Sequence, residues 1–299
     1  MGLFYNYENS GSGVAKNGPK KKPFFRFWEQ FASKFWKLVT VNFLYFLTSG
    51  IILVIAAFLL VGFTGNAYFY LVAVPILFLF GPATAAVTQI MRKFVLEKPI
   101  FLWDEFKTAY KNNFRQALPV GIFDMAFCSM FIYGIFFYSE AILNTSSVEN
   151  YALMIISAAI AVYFLMAHFY IYLEIVSLTL PLGKIVKNAL LLTIMGIKVN
   201  IINFIVWLLF ISAIVLLFPY SVFALPFIPF AWLMFLTAFN CYPVIQKYII
   251  NPYYESKGMK NPELPDDDED DEDRIFTDRG GSEPEIVKKK AKGIGKIIR

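Results

Sequence analysis

Three ionisable side chains stand in stretches of this sequence that are otherwise built from Phe, Ile, Leu, Ala and Tyr: Asp124, His168 and Glu174. A charge at the centre of a bilayer costs at least about 2.5 kcal/mol even on the lenient insertion scales, so each of them needs a partner or water. Read as helices with their usual rise, the segments put Asp124 about 10 Å, Glu174 about 6 Å and His168 about 15 Å from the cytoplasmic ends of their spans. Asp124 and His168 then sit at comparable depth on the two arms of one hairpin. Two uses fit that placement. One is a proton or cation relay in which the pair exchanges a proton as a solute passes; the other is a buried polar contact that fixes the hairpin, with Glu174 reaching the cytoplasmic interface.

Other chemistries find no support in the pattern. A lone histidine makes no metal site, and Cys128 and Cys241 lie in apolar stretches with no ligand spacing between them. No glycine-rich nucleotide loop, paired catalytic carboxylates or Ser/His/Asp arrangement stands out. The expectation is a protein without catalysis, cofactor or metal. Nucleic acid is not an expected partner either, because the basic residues are explained by topology and an acidic run, Asp266 to Asp273, would repel phosphate.

A second constellation is made of small residues. In GPATAAVTQIMRKFV, Gly81, Thr84, Ala85, Thr88 and Arg92 share one helical face. Small side chains let another helix approach closely, and threonine hydroxyls bond across such contacts. Pro82 has no amide hydrogen and crowds the carbonyl of Phe78, so the helix must kink or break near it. A kink makes the seam a packing face. A break makes Pro82 the start of a half-helix whose positive end points into the bundle, as transporters use to hold anionic groups.

The elements that must carry these residues follow from composition. Of 299 residues, 58% are hydrophobic and only 16% charged, too apolar for a chain that keeps a hydrated surface. All 27 Lys and Arg fall outside three windows, Leu38 to Met91, Gln116 to Gly183 and Val199 to Gln246. A crossing needs about 20 residues, so each window holds two. The reading is an all-α polytopic membrane protein of six transmembrane helices in three hairpins (38–91, 116–183, 199–246). Crossings are expected near Val39 to Phe63, Tyr68 to Met91, Ala117 to Tyr138, Tyr151 to Leu178, Asn200 to Leu217 and Val222 to Ile245. The turns between arms carry no Lys or Arg, which places both termini and every basic loop on the cytoplasmic side.

Amphipathic interfacial helices are expected before the hairpins. In residues 23–37, Phe24, Trp28, Phe31 and Phe35 recur on one side and Glu29, Gln30, Ser33, Lys34 and Lys37 on the other. Trp103, Phe106 and Tyr110 against Asp104, Lys107 and Lys111 repeat the theme, and LGKIVKNALLLTIMGIK gives a weaker third version. A repeated unit of surface helix plus hairpin is one explanation, and the general preference for aromatic, basic interfacial helices is another. Residues 1–250 form the membrane domain. Residues 251–299, with blocks of like charge ending in KKKAKGIGKIIR, are expected to be a disordered cytoplasmic tail.

The opening Met1-Gly2-Leu3-Phe4, the GPATAAVTQIMRKFV segment and the following FLWDEFKTAYKNNFRQAL resemble the YesL-like family of bacterial integral membrane proteins, a domain of unknown function. The likeness covers most of residues 1 to 250, and the charged tail departs from it. The resemblance implies a multi-pass protein of the bacterial cytoplasmic membrane associated with carbohydrate uptake, an accessory or regulatory subunit partnered by the lipid bilayer and by carbohydrate importer permease subunits. The residues themselves leave a second course open, a secondary transporter or channel using Asp124, His168 and a broken second helix.

Overall fold

The computed structural model describes residues 22–50, 80–145, 147–217, 220–224, 226–227 and 229–264. Most of the first expected hairpin, from 51 to 79, lies outside the described residues. So do the N-terminal segment, the acidic run and the basic C-terminus. Among the described residues the fold is α-helical. Helix α1 spans Pro23–Tyr45 and continues into a π-helical turn, Phe46–Gly50. It is followed by α2 (Phe80–Val95), α3 (Leu102–Thr145), α4 (Val148–Ser177), α5 (Leu182–Met195) and α6 (Ile197–Leu216). A short 3₁₀ turn, Tyr220–Ala224, leads to α7 (Pro229–Ile245), a second π-helical turn and α8 (Asn251–Ser256).

The small-residue seam explains which helix sits in the middle. Ala83, Ala85, Ala86, Val87, Ile90 and Met91 of α2 are all fully buried, and α2 packs on α1, α3, α4 and α7. Gly81 is the tightest point: a Cβ there would stand 2.1 Å from the carbonyl oxygen of Ala117 and 3.1 Å from the Cα of Gly121. Two backbones touch because neither carries a side chain in the way. Gly81 and Pro82 lie in the first described turn of α2. The residues that would distinguish a kink from a break lie outside the described part, while the face they open is a packing face within this bundle.

The aromatic amphipathic stretches are not separate from the apolar stretches that follow them. Residues 23–37 run without interruption into residues 38–45 as α1, and the second amphipathic stretch runs into the next span as the 44-residue α3. At 1.5 Å per residue α3 is about 66 Å long, more than twice a bilayer's hydrocarbon core. Pro119 sits inside it, exposed, and the carbonyl it leaves unpaired belongs to exposed Arg115. Only the third amphipathic stretch is set apart, because α5 and α6 meet at a 94° bend around Gly196. A Cβ on Gly196 would come within 2.3 Å of the Tyr170 hydroxyl. That hydroxyl donates to Asn200, whose amide donates to the Thr193 carbonyl, so the bend is pinned from both sides.

Apolar residues divide by location. The inner half of α4, Met166 to Ser177, is buried, whereas Leu153, Ile155, Ile156 and Ile160 of its outer half are exposed. Among the described residues, α4 is a single helix long and apolar enough to cross a membrane, and α5 with α6 passes the same test as a bent pair.

The chain stays ordered past the expected start of the tail. Asn251 to Leu264 form α8 and a turn that fold back on the bundle, with Asn261 donating to Asn251. The reason is ionic. Glu263 reaches into the core and meets Arg92 at 2.6 Å, with both side chains essentially buried.

Candidate functional site: a carboxylate–imidazole pair in an aromatic cavity

A cavity of about 240 Å³ lies where α1, α2, α3, α4, α6 and α7 converge. Asp124 of α3 and His168 of α4 both line it, with Nδ1 of the histidine 3.3 Å from Oδ1 of the carboxylate. Tyr172, one turn further along α4, donates to Oδ2 of the same carboxylate at 3.1 Å. The hairpin pair expected from depth is therefore formed. It acquires a third member that the i, i+4 spacing of His168 and Tyr172 made available on one face. The His168 contact is an ion-pair distance without hydrogen-bond alignment, and Oδ1 has no hydrogen bond among the described residues.

Around this cluster stand Tyr45 from α1 and Thr84 from α2, whose hydroxyls lie 3.1 Å apart. Phe164, Trp207 and Phe230 supply aromatic walls. A smaller adjoining space of about 50 Å³ is shared between His168, Tyr172 and Trp207 on one side and Thr88 and Thr237 on the other. Trp207 donates its indole N–H to Thr237, and Thr88 bonds back to the Thr84 carbonyl, so most of the lining polar groups are held by the protein itself. The position of α7 in this wall is fixed by Asn42, whose side-chain oxygen accepts from the Ala231 amide in the first turn of α7. That amide would otherwise be one of the unpaired donors of a helix start.

Glu174 does not join the site. It is wholly buried, six residues beyond His168 and so on another face of α4, towards Asn188 of α5. Neither of its carboxylate oxygens has a well-formed hydrogen bond among the described residues. Of the seam, Thr84 and Thr88 face the cavities, Gly81 holds the contact with α3, and Ala85 is core. Pro82 lies in the first described turn of α2.

Sequence reasoning missed a second ionic centre at the C-terminal end of α2. Arg92, read as a flanking cation, is almost fully buried. Its Nε donates to the Tyr242 hydroxyl at 2.8 Å and its Nη2 to Glu263 at 2.6 Å. Tyr242 in turn donates to the other Glu263 oxygen at 2.6 Å, and Gln246 adds a further donor at 3.2 Å. The available signal was slight: a single glutamate between prolines, Pro262 and Pro265, just ahead of the acidic run.

The neighbouring surface is similarly knit. Lys93 pairs with Glu105 at 2.6 Å, Gln30 donates to Glu97, and Lys34 donates to the Phe94 carbonyl. Gln30 and Lys34 thus face the protein, while Glu29, Ser33 and Lys37 are exposed together with Trp28 and Phe24. The α2 terminus needs those donors. It closes with Lys98 bonded to Lys93 and Glu97 to Phe94, with Glu97 in the left-handed region at φ 55°. Burial lowers the pKa of Lys34 and of Lys98, against the opposing pull of Glu97 on the first and Glu263 on the second.

Fold and site together define a class: an α-helical bundle with an apolar exterior and a carboxylate–imidazole pair lining an internal cavity. Residues 38–135 match the family described as "Protein of unknown function, DUF624", the family of unknown function that takes in the YesL-like proteins, so the resemblance is shown over this stretch. No curated protein and no solved structure matches the chain. The matched stretch includes the seam, Arg92 and Asp124. His168, Tyr172 and Trp207 lie beyond it.

Proposed function

We propose that this chain is a six-crossing protein of the bacterial cytoplasmic membrane, with both termini cytoplasmic, that handles a small solute together with a proton at the Asp124–His168–Tyr172 cluster. The observation that carries the reading is the placement of an under-bonded carboxylate and an imidazole, 3.3 Å apart, on the wall of a cavity inside the bundle. A proton held at Nδ1 or Oδ1 moves between them without crossing apolar space, and the Tyr172 hydroxyl steadies the carboxylate whichever form it takes. Intramembrane ionisable residues of this kind mark proton and ion pathways in transporters. In proteoliposomes carrying a pH-sensitive dye, wild-type protein is expected to dissipate an imposed proton gradient, and Asp124→Asn to lose that activity. Equal rates in the two would end the reading.

An accessory role beside a carbohydrate importer rests on a different observation. Phe101 and Trp36 are 85% and 78% exposed on the cytoplasmic helices, and Trp103 is also exposed. These aromatic faces suit a permease subunit as well as a bilayer interface. The small-residue seam does not serve such docking, since it is consumed inside the bundle. Co-purification from native membranes with permease subunits, lost on Trp36→Ala/Trp103→Ala, is the expected result; a chain that purifies alone from those membranes argues against it.

A further inference from the structure

We propose that the solute held in this cavity is a small organic cation, an amine or quaternary ammonium. The inference rests on reading the cavity as a solute site and adds the chemical class of the solute. Six rings, those of Tyr45, Phe164, Phe169, Tyr172, Trp207 and Phe230, line the space. Aromatic faces carry negative quadrupole density that attracts a cation, most strongly where water is excluded. Asp124 is the one carboxylate in the lining, and no Lys or Arg lines the cavity among the described residues. With His168 neutral, the site therefore carries a net negative charge.

The alternatives fit the lining less well. An anion would meet Asp124 with no fixed cation to offset the repulsion. A polyol would need many donors and acceptors, whereas the Tyr45 and Thr84 hydroxyls already lie within bonding distance of each other and the Trp207 N–H is given to Thr237. Its hydroxyls would be buried without partners, which is costly. The group with bonding capacity to spare is Oδ1 of Asp124, an acceptor placed among rings. An ammonium N–H, or the positive face of a methylated ammonium, satisfies both. When His168 takes a proton the same carboxylate is neutralised from the other side, so proton and organic cation compete for one negative charge. That competition is how the two become coupled. Tyr45 and Tyr172 are the other titratable groups in the lining.

The test is calorimetric titration of the full chain in lipid nanodiscs with choline, tetramethylammonium and the neutral choline isostere 3,3-dimethylbutan-1-ol. Choline is expected to bind at least about tenfold more tightly than the alcohol, equivalent to about 1.4 kcal/mol. Asp124→Asn should remove that preference, Trp207→Ala should weaken choline at least about tenfold, and His168→Gln should abolish the loss of choline affinity on acidification that wild type shows. Equal affinity for choline and the alcohol in wild-type protein would overturn the cation assignment while leaving a solute cavity. Failure of every probe to bind, with proton flux still present, would also overturn it. Failure of every probe with no flux would remove the cavity reading itself.

Discussion

Two ionic clusters in this molecule differ in burial and in how completely they are bonded. At one end of the bundle, Arg92, Tyr242 and Glu263 close a ring of charge-assisted hydrogen bonds, and Gln246 takes a further lone pair. In the cavity, Asp124 receives one good hydrogen bond from Tyr172 and one unaligned approach from His168. Removing charge from water is repaid only by near-complete bonding, so the first cluster is built to stay. The second keeps an acceptor in reserve on the wall of a space large enough for a ligand. The two lie apart along α2 and its neighbours, with the staple at one end and the proposed site in the middle.

The largest expected effect tests the staple. Arg92→Met strands a buried carboxylate and should cost about 3–5 kcal/mol of stability. Adding Glu263→Met to that background should recover part of the loss, since the orphaned charge goes with it. Unfolding followed by circular dichroism in detergent reads both; a single variant as stable as wild type would show that the tail is not anchored there.

Next comes the contact that joins the two regions. Gly81→Ala puts a methyl group against the α3 backbone, which cannot swing aside as a side chain would, and should cost about 1–3 kcal/mol. Because α3 carries Asp124, the same change should also disturb flux. A stable Gly81→Ala protein with normal flux would mean that the helices separate more easily than this contact allows.

Tyr242→Phe removes the hydroxyl that bridges the arginine and the glutamate and should cost about 1–3 kcal/mol. Flux should be untouched. Loss of flux at full stability would erase the division between the two clusters.

The smallest effect is a pH dependence. Lys34 releases its proton at lower pH in the folded chain than its ordinary value of 10.5, because burial disfavours the charge. Between the two values the unfolded chain binds more protons, so stability from this group rises with pH across that window. Melting curves should show the rise in wild type and a shallower one in Lys34→Met.

Much of this was legible in the residues. The absence of Lys and Arg from three windows marked apolar stretches, two of which hold α4 and most of α6, and small residues at helical spacing located the central packing face. Asp124 and His168 announced themselves by cost, and simple depth along two helices brought them together. Legibility failed where a residue's partner is remote in sequence. Arg92 looks like any cation at a helix end until Glu263, 171 residues away, is seen to meet it. Glu174 looked like an interfacial charge because its helix is uniformly apolar and no periodicity says which face turns inward. The joining of surface helices to the following spans was hidden by the change of hydropathy at Leu38 and Gln116, since helix continuity depends on backbone hydrogen bonds that composition does not record.

The division between staple and site is tested most directly by the thermal stability of Asp124→Asn. Asparagine keeps the volume and the bond from Tyr172, so the melting temperature should stay within about 2–4 °C of wild type, the shift produced by about 1 kcal/mol in a chain of this size class. A fall as large as that of Arg92→Met would contradict the account, and would make the cavity pair a second structural staple.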